Sequence, residues 1–90
     1  VLRIRIKILW DRRTEQHIAR HGVKREEIEA GMLGRKFVRR TKYNRFEVIC
    51  NAHGRILFVV LEPMKKGTFK PVTARDADDK EKKLYKRRAK

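Results

Sequence analysis

An α+β domain is what this sequence predicts: a strand and two helices, then four further antiparallel strands, then a closing helix. Three observations carry that reading. Leu2, Ile4, Ile6 and Ile8 alternate with Arg3, Arg5 and Lys7, the period of two of a half-buried strand. Two segments with helix-capping residues follow, from Arg12 to Gly22 and from Arg25 to Leu33. Beyond them, short strand-like runs separated by turn residues lead to a lysine-rich helix opened by Asp78.

Each element has a local cause. Asp11 can cap the first helix by accepting from a free amide of its first turn, and Gly22 suits the left-handed conformation past its end. Glu26 and Glu27 sit in the first turn of the second helix and complement its dipole, while Gly31 and Gly34 weaken and end it. The strands read as Lys36–Arg40, Arg45–Asn51, Arg55–Glu62 and Thr68–Arg75, with hairpin turns at Ala52-His53-Gly54 and Lys65-Lys66-Gly67. Ile56 to Leu61 is apolar on both faces, so it is expected to be the central strand, covered on both sides. Asp78 and Glu81 have capping-box spacing, and the helix they open is nearly all basic from Lys80 to Lys90, with an end open to fraying. Residues 1–90 are expected to form one small domain, since there is no internal repeat and no Gly-, Pro- or Ser-rich linker.

Charge bounds the partners. There are 26 Lys and Arg against 11 Asp and Glu, a formal net charge of +15. Such an excess repels itself and is usually matched by a polyanion: RNA, DNA, an acidic protein or an anionic membrane surface. At 40% hydrophobic residues the chain is not a disordered basic tail. Its one cysteine, Cys50, cannot build a disulfide framework and reads as a small apolar strand residue in a reducing, cytoplasmic setting. No run approaches the ~18 apolar residues of a membrane span, and the alternation over residues 1–9 is not the apolar core of a signal peptide.

Several side chains are candidates for chemistry. His17 and His21 are four apart, but no third ligand accompanies them, so neither a metal nor a cofactor is expected. His17 reads as a packing or hydrogen-bonding residue under the sheet, and His21 as either structural or a general acid or base. No Gly-rich phosphate loop and no nucleophilic triad can be argued. Arginines are more informative, because a guanidinium stays charged and presents a planar fork of donors to phosphate oxygens. Arg75 ends a strand just before a helix and is expected to share its face with Thr73 and Phe69. Arg45, Glu47 and Ile49 share another face, and Arg55 starts the central strand. Pairing in hairpin order is expected to bring Arg45, Arg55 and Arg75 to one side or edge of the sheet. Tyr85 packs beside Leu84 or aims its hydroxyl at a phosphate. Lys65, Lys66, Lys82, Lys83 and Lys86 are candidates for attracting RNA.

Taken in order, these residues resemble the BrnT family of small toxins, with its RelE-like fold. The resemblance runs over Ile8-Leu9-Trp10-Asp11, His17 to Val23, Glu26-Glu27, Gly54-Arg55, Leu57 to Val60, Val72 to Asp76, Glu81 and Tyr85, while Gly31 to Asn44 departs from the pattern. It implies a type II toxin–antitoxin module: a ribonuclease that arrests translation, neutralised by an antitoxin with a ribbon-helix-helix-like DNA-binding domain, operator DNA being met only through that complex. Under that implication the expected mechanism is metal-independent cleavage by 2′-hydroxyl attack. Arg75, assisted by Arg55 or Arg45, would steady the charge on phosphorus, with His21 and Glu47 as acid and base candidates and Tyr85 assisting. Two other readings stay open: a noncatalytic RNA- or DNA-binding module, and a basic surface that serves an acidic protein partner.

Overall fold

Asp11 starts the first helix as its position requires, its carboxylate accepting from the Thr14 amide at 2.7 Å. The computed structural model describes residues 6–90. In chain order it contains β1 (Lys7–Ile8), α1 (Arg12–Arg20), α2 (Arg25–Leu33), β2 (Lys36–Arg40), β3 (Phe46–Ala52), β4 (Arg55–Pro63), β5 (Thr68–Asp76) and α3 (Asp79–Arg88). The strand expected from Leu2 is seen from Lys7, and its positions at Leu2, Arg3, Ile4 and Arg5 lie outside the described residues.

The sheet has the order β1-β5-β4-β3-β2. β2 to β5 pair as consecutive antiparallel neighbours, while β1 joins the far edge parallel to β5. β4 is therefore the middle strand, and it is covered on both sides. On one face, Ile18, Val23, Ile28 and Met32 from the α1–α2 layer pack on Val48, Cys50, Leu57, Val59, Leu61 and Ala74. On the other, Leu84 and Tyr85 of α3 pack with Ile49, Phe58 and Ala77. Two thin layers around one sheet give this short chain its core.

The β3–β4 hairpin turns on His53 and Gly54, at φ of 54° and 93°. Positive φ at both central residues is the geometry that matches strand twist, and the Asn51 side chain accepts from the Gly54 amide at 2.7 Å. The other hairpin turns through Lys65–Gly67, with Lys66 and Gly67 in the same left-handed region. At the end of α3 the helix holds to Arg88, and Lys90 exchanges two backbone hydrogen bonds of 3.1 Å with Lys36.

Two expectations need correction. Phe69 does not share a face with Arg75. Val60 pairs with Thr73 but Leu61 pairs with Pro71, so Val72 is an extra residue that reverses the alternation. Phe69 thus packs with Phe46 on the α1–α2 side, while Arg75 faces α3. Nor does His17 lie under the sheet. Thr14 and Ile18 take the inward ridge of α1, leaving His17 exposed and edge-on to His21.

Gly31 is also a point of close approach between α2 and β3. A Cβ there would stand 2.5 Å from the Cys50 Sγ and 3.2 Å from its Cβ. Burial also pushes the Cys50 thiol up to about 11, so it acts as packing volume. Gly31→Ala is expected to destabilise the fold by roughly 1–3 kcal/mol, the usual range for overpacking. Urea denaturation should show a smaller loss when Gly31→Ala is made in a Cys50→Ala background, because the two sites share one space.

Candidate active site

Arg75 stands opposite Phe58 in the β4–β5 ladder, on the α3 side of the sheet. Its guanidinium carbon lies 4.3 Å from the centre of the Phe58 ring, so the planar group rests on an aromatic floor. Nη1 and Nη2 donate to the two oxygens of Glu81 at 2.8 and 2.9 Å, and Nη1 also donates to the Asp76 carbonyl at 3.0 Å. Of five N–H donors, the Nε–H and one on Nη2 are left unengaged among the described residues. The hydrogen bonds to Glu81 hold the arginine more firmly charged than usual, despite some desolvation. Its side chain is 45% exposed, whereas that of Glu81 is 14% exposed. The arginine is thus pinned from one side and open on the other.

Glu81 has a second task. It accepts from the Asp78 amide at 2.9 Å while Asp78 accepts from the Glu81 amide at 2.8 Å, a reciprocal cap that starts α3. Glu47 lies one strand pair along the same face and adds electrostatic attraction to Arg75. Its nearest cation is Arg39 on β2, whose Nε donates at 2.7 Å.

Arg55 is built differently. It projects to the α1–α2 side and is held by the Asp76 carboxylate through Nε at 2.7 Å and Nη2 at 3.1 Å. Nη1 donates to the Gly22 carbonyl at 2.8 Å and to Glu27 at 2.9 and 3.0 Å. Glu27 also accepts from the Lys24 amide at 2.9 Å, which begins α2. That amide, followed by Arg55, holds the Glu27 carboxyl below its ordinary value, and Arg55 does the same for Asp76. Bonds to Asp76 and then Glu27 push the Arg55 guanidinium further up.

The expected convergence of three arginines does not form. Arg45 precedes β3, whereas Arg55 pairs with Ala52 at its end, so the length of β3 separates them, about 20 Å at the usual strand rise. An antiparallel hairpin necessarily puts the start of one strand against the end of the next. Arg45 lies 4.0 Å from Glu62 instead. Lys65 and Lys66 occupy the turn at that same distant end.

The remaining candidates divide likewise. Asn51, Arg55, Ile56, Asp76, Lys82, Tyr85 and Lys86 line a shallow cleft where α3 crosses the sheet end. Lys83 is exposed on the same helix. Tyr85 packs its ring on the sheet and donates its hydroxyl to the Arg35 carbonyl at 3.1 Å. His21 is exposed at the end of α1, next to the Gly22 carbonyl that binds Arg55. Among the described residues no three His, Cys, Asp or Glu side chains cluster as metal ligands. Sequence reasoning missed Phe58 as the floor under Arg75, and Glu27, Asp76 and Glu81 as the carboxylates that orient arginines. The cap spacing of Glu81 was legible; its arginine partner required the sheet.

Arg55→Ala is expected to cost roughly 1–3 kcal/mol of stability, chiefly through the half-buried Glu27 and Gly22 contacts. Acid should reveal the same pair. Folded-state values below the ordinary 4.5 of Glu27 and 3.8 of Asp76 contribute stability above those values, lost as pH falls through the lowered ones. Denaturation from pH 7 to 3 should show that loss in the parent protein and a flatter profile in Arg55→Ala. Glu27 keeps its amide bond in the variant, so the flattening should come mostly from Asp76.

No protein-family model matches this chain, and no curated protein matches it. Its fold does match a solved structure, the crystal structure of the Brucella abortus ribonuclease toxin BrnT. The two share 27% sequence identity at a TM-score of 0.64, over 82% of this chain and 99% of that one. Among the described residues no helix is long and apolar enough to cross a membrane. In the three helices and five-strand mixed sheet of its described residues, this chain is similar to the BrnT structure.

Proposed function

We propose that this chain is an endoribonuclease toxin that cleaves RNA and is held inactive by a cognate antitoxin. The observation that carries the reading is Arg75: a guanidinium resting on Phe58, oriented by Glu81, with two N–H donors unengaged, on the fold of a ribonuclease toxin. In the proposed reaction a 2′-hydroxyl attacks the adjacent phosphorus and the bond to the 5′-oxygen breaks. The products are a 2′,3′-cyclic phosphate and a 5′-hydroxyl. A base takes the 2′ proton and an acid supplies one to the leaving oxygen. Negative charge grows on the non-bridging oxygens, and Arg75 would meet it with its open donors.

Glu47 shares the Arg75 face and is the candidate base, with Arg39 holding its carboxylate. His21 and Tyr85 are the candidate acids, and neither contacts Arg75 here. Arg55 would act from behind, by fixing the strand end that carries Arg75. Arg45, Lys65 and Lys66 at one end of the sheet, with Lys82, Lys83 and Lys86 at the other, would draw RNA across the molecule. The antitoxin we envisage has a ribbon-helix-helix-like domain that alone contacts operator DNA. The site of action would be the cytoplasm, where translated RNA is found.

A noncatalytic RNA- or DNA-binding module is the second reading. It is favoured by the carboxylates already paired with Arg75 and Arg55. Incubation with single-stranded RNA in EDTA separates the two. Cleavage should persist, give cyclic-phosphate ends, and fall about a hundredfold in Arg75→Ala, the scale of losing one charge-stabilising donor group. Salt-sensitive binding with intact RNA would support the second reading instead.

A further inference from the structure

β2 is an edge strand whose outer side is only partly occupied among the described residues. Lys36 directs its N–H and C=O away from β3, since it exchanges both with Lys90. Strand alternation therefore points the N–H and C=O of Val38 and Arg40 outward too, and Thr41 confirms the parity by donating inward to the Arg45 carbonyl. Among the described residues no backbone partner meets those four groups. Val38 is 42% exposed beside them, and Tyr43 beyond the strand is 82% exposed.

We propose that this edge receives an extended, acidic segment of a partner protein, added to the sheet as a sixth strand beside β2. Charge selects the occupant. Arg35, Arg40 and Lys42 on and around the strand have no carboxylate partner among the described residues, whereas Arg39 and Arg45 already face Glu47 and Glu62. The unpaired three favour acidic side chains and repel a second copy of a chain carrying +15. The donors and acceptors at Val38 and Arg40 alternate along the strand, which matches a peptide backbone and not the acceptor-only oxygens of phosphate. The inference deepens the toxin reading and rests on it in one respect: the partner would be the neutralising protein. The edge lies beside Arg39, which holds Glu47, so a strand seated there would border the proposed active face.

The test uses the full chain, isotopically labelled, and a ten-residue synthetic peptide of alternating glutamate and valine. Two further peptides complete it, one N-methylated at every second residue and one with lysine in place of glutamate. We expect the alternating acidic peptide to slow amide exchange at Val38 and Arg40 at least tenfold. The N-methylated and lysine peptides should bind at least tenfold more weakly. Val38→Pro removes one outward N–H without touching the ladder to β3, and it should weaken binding by a similar factor. Should that variant not fold, the N-methylated peptide still decides. Failure of the acidic peptide to bind, or protection confined to Arg75 and α3, would overturn the proposal. So would protection of Val38 and Arg40 by a single-stranded RNA oligonucleotide in place of the peptide. RNA cleavage by the parent protein alone tests the toxin reading separately, so the two can fail independently.

Discussion

Two glutamates at the third position of their helices organise this molecule. Glu27 accepts from the Lys24 amide and holds Arg55; Glu81 accepts from the Asp78 amide and holds Arg75. In each case one carboxylate closes a helix N-terminus and grips an arginine projecting from the sheet. The helix dipole and the free amides of the first turn favour negative charge there, so the carboxylate is stabilised before the arginine arrives. A cationic strand residue then docks the helix at a defined point. The device appears once on each face of the sheet, and it fixes α2 and α3 against β4 and β5.

Scarcity of acid makes that arrangement consequential. With 11 carboxylates against 26 cations, the placement of each acid decides which basic side chains are held and which stay open. Asp76 and Glu27 both serve Arg55, and Glu47 serves Arg39. The lysines of α3 receive little such help, and their net field is available to a polyanion. The same imbalance bears on β2, whose arginines discourage self-pairing along an edge that would otherwise invite it.

Much of the fold was legible because its signals are local. Asp11, Gly22 and Asp78 marked helix ends, His53-Gly54 marked the hairpin, and the two-sided apolar run of Ile56 to Leu61 marked the central strand. What could not be read depends on register. One extra residue at Val72 moved Phe69 to the opposite face from Arg75, and no composition signal announces a bulge. Periodicity placed His17 and His21 together, but not on the outward ridge of α1. The joint position of Arg45, Arg55 and Arg75 failed for a simpler reason, since their places along antiparallel strands put Arg45 at the wrong end.

The structure separates Arg55 from Arg75 more sharply than the sequence does. Four of the five N–H donors of Arg55 are engaged, by two carboxylates and a carbonyl on different elements. Releasing it to a ligand would loosen the α1–α2 corner and the end of β5 together. Arg75 loses less on meeting an anion. One carboxylate and one carbonyl orient it, Phe58 supports its plane without consuming a donor, and two N–H groups stay open. A guanidinium that is fixed but not saturated is the kind that can stabilise charge developing elsewhere, because no reorganisation is needed when that charge appears. Arg55 secures the strand end, and Arg75 at that strand end keeps two donors open.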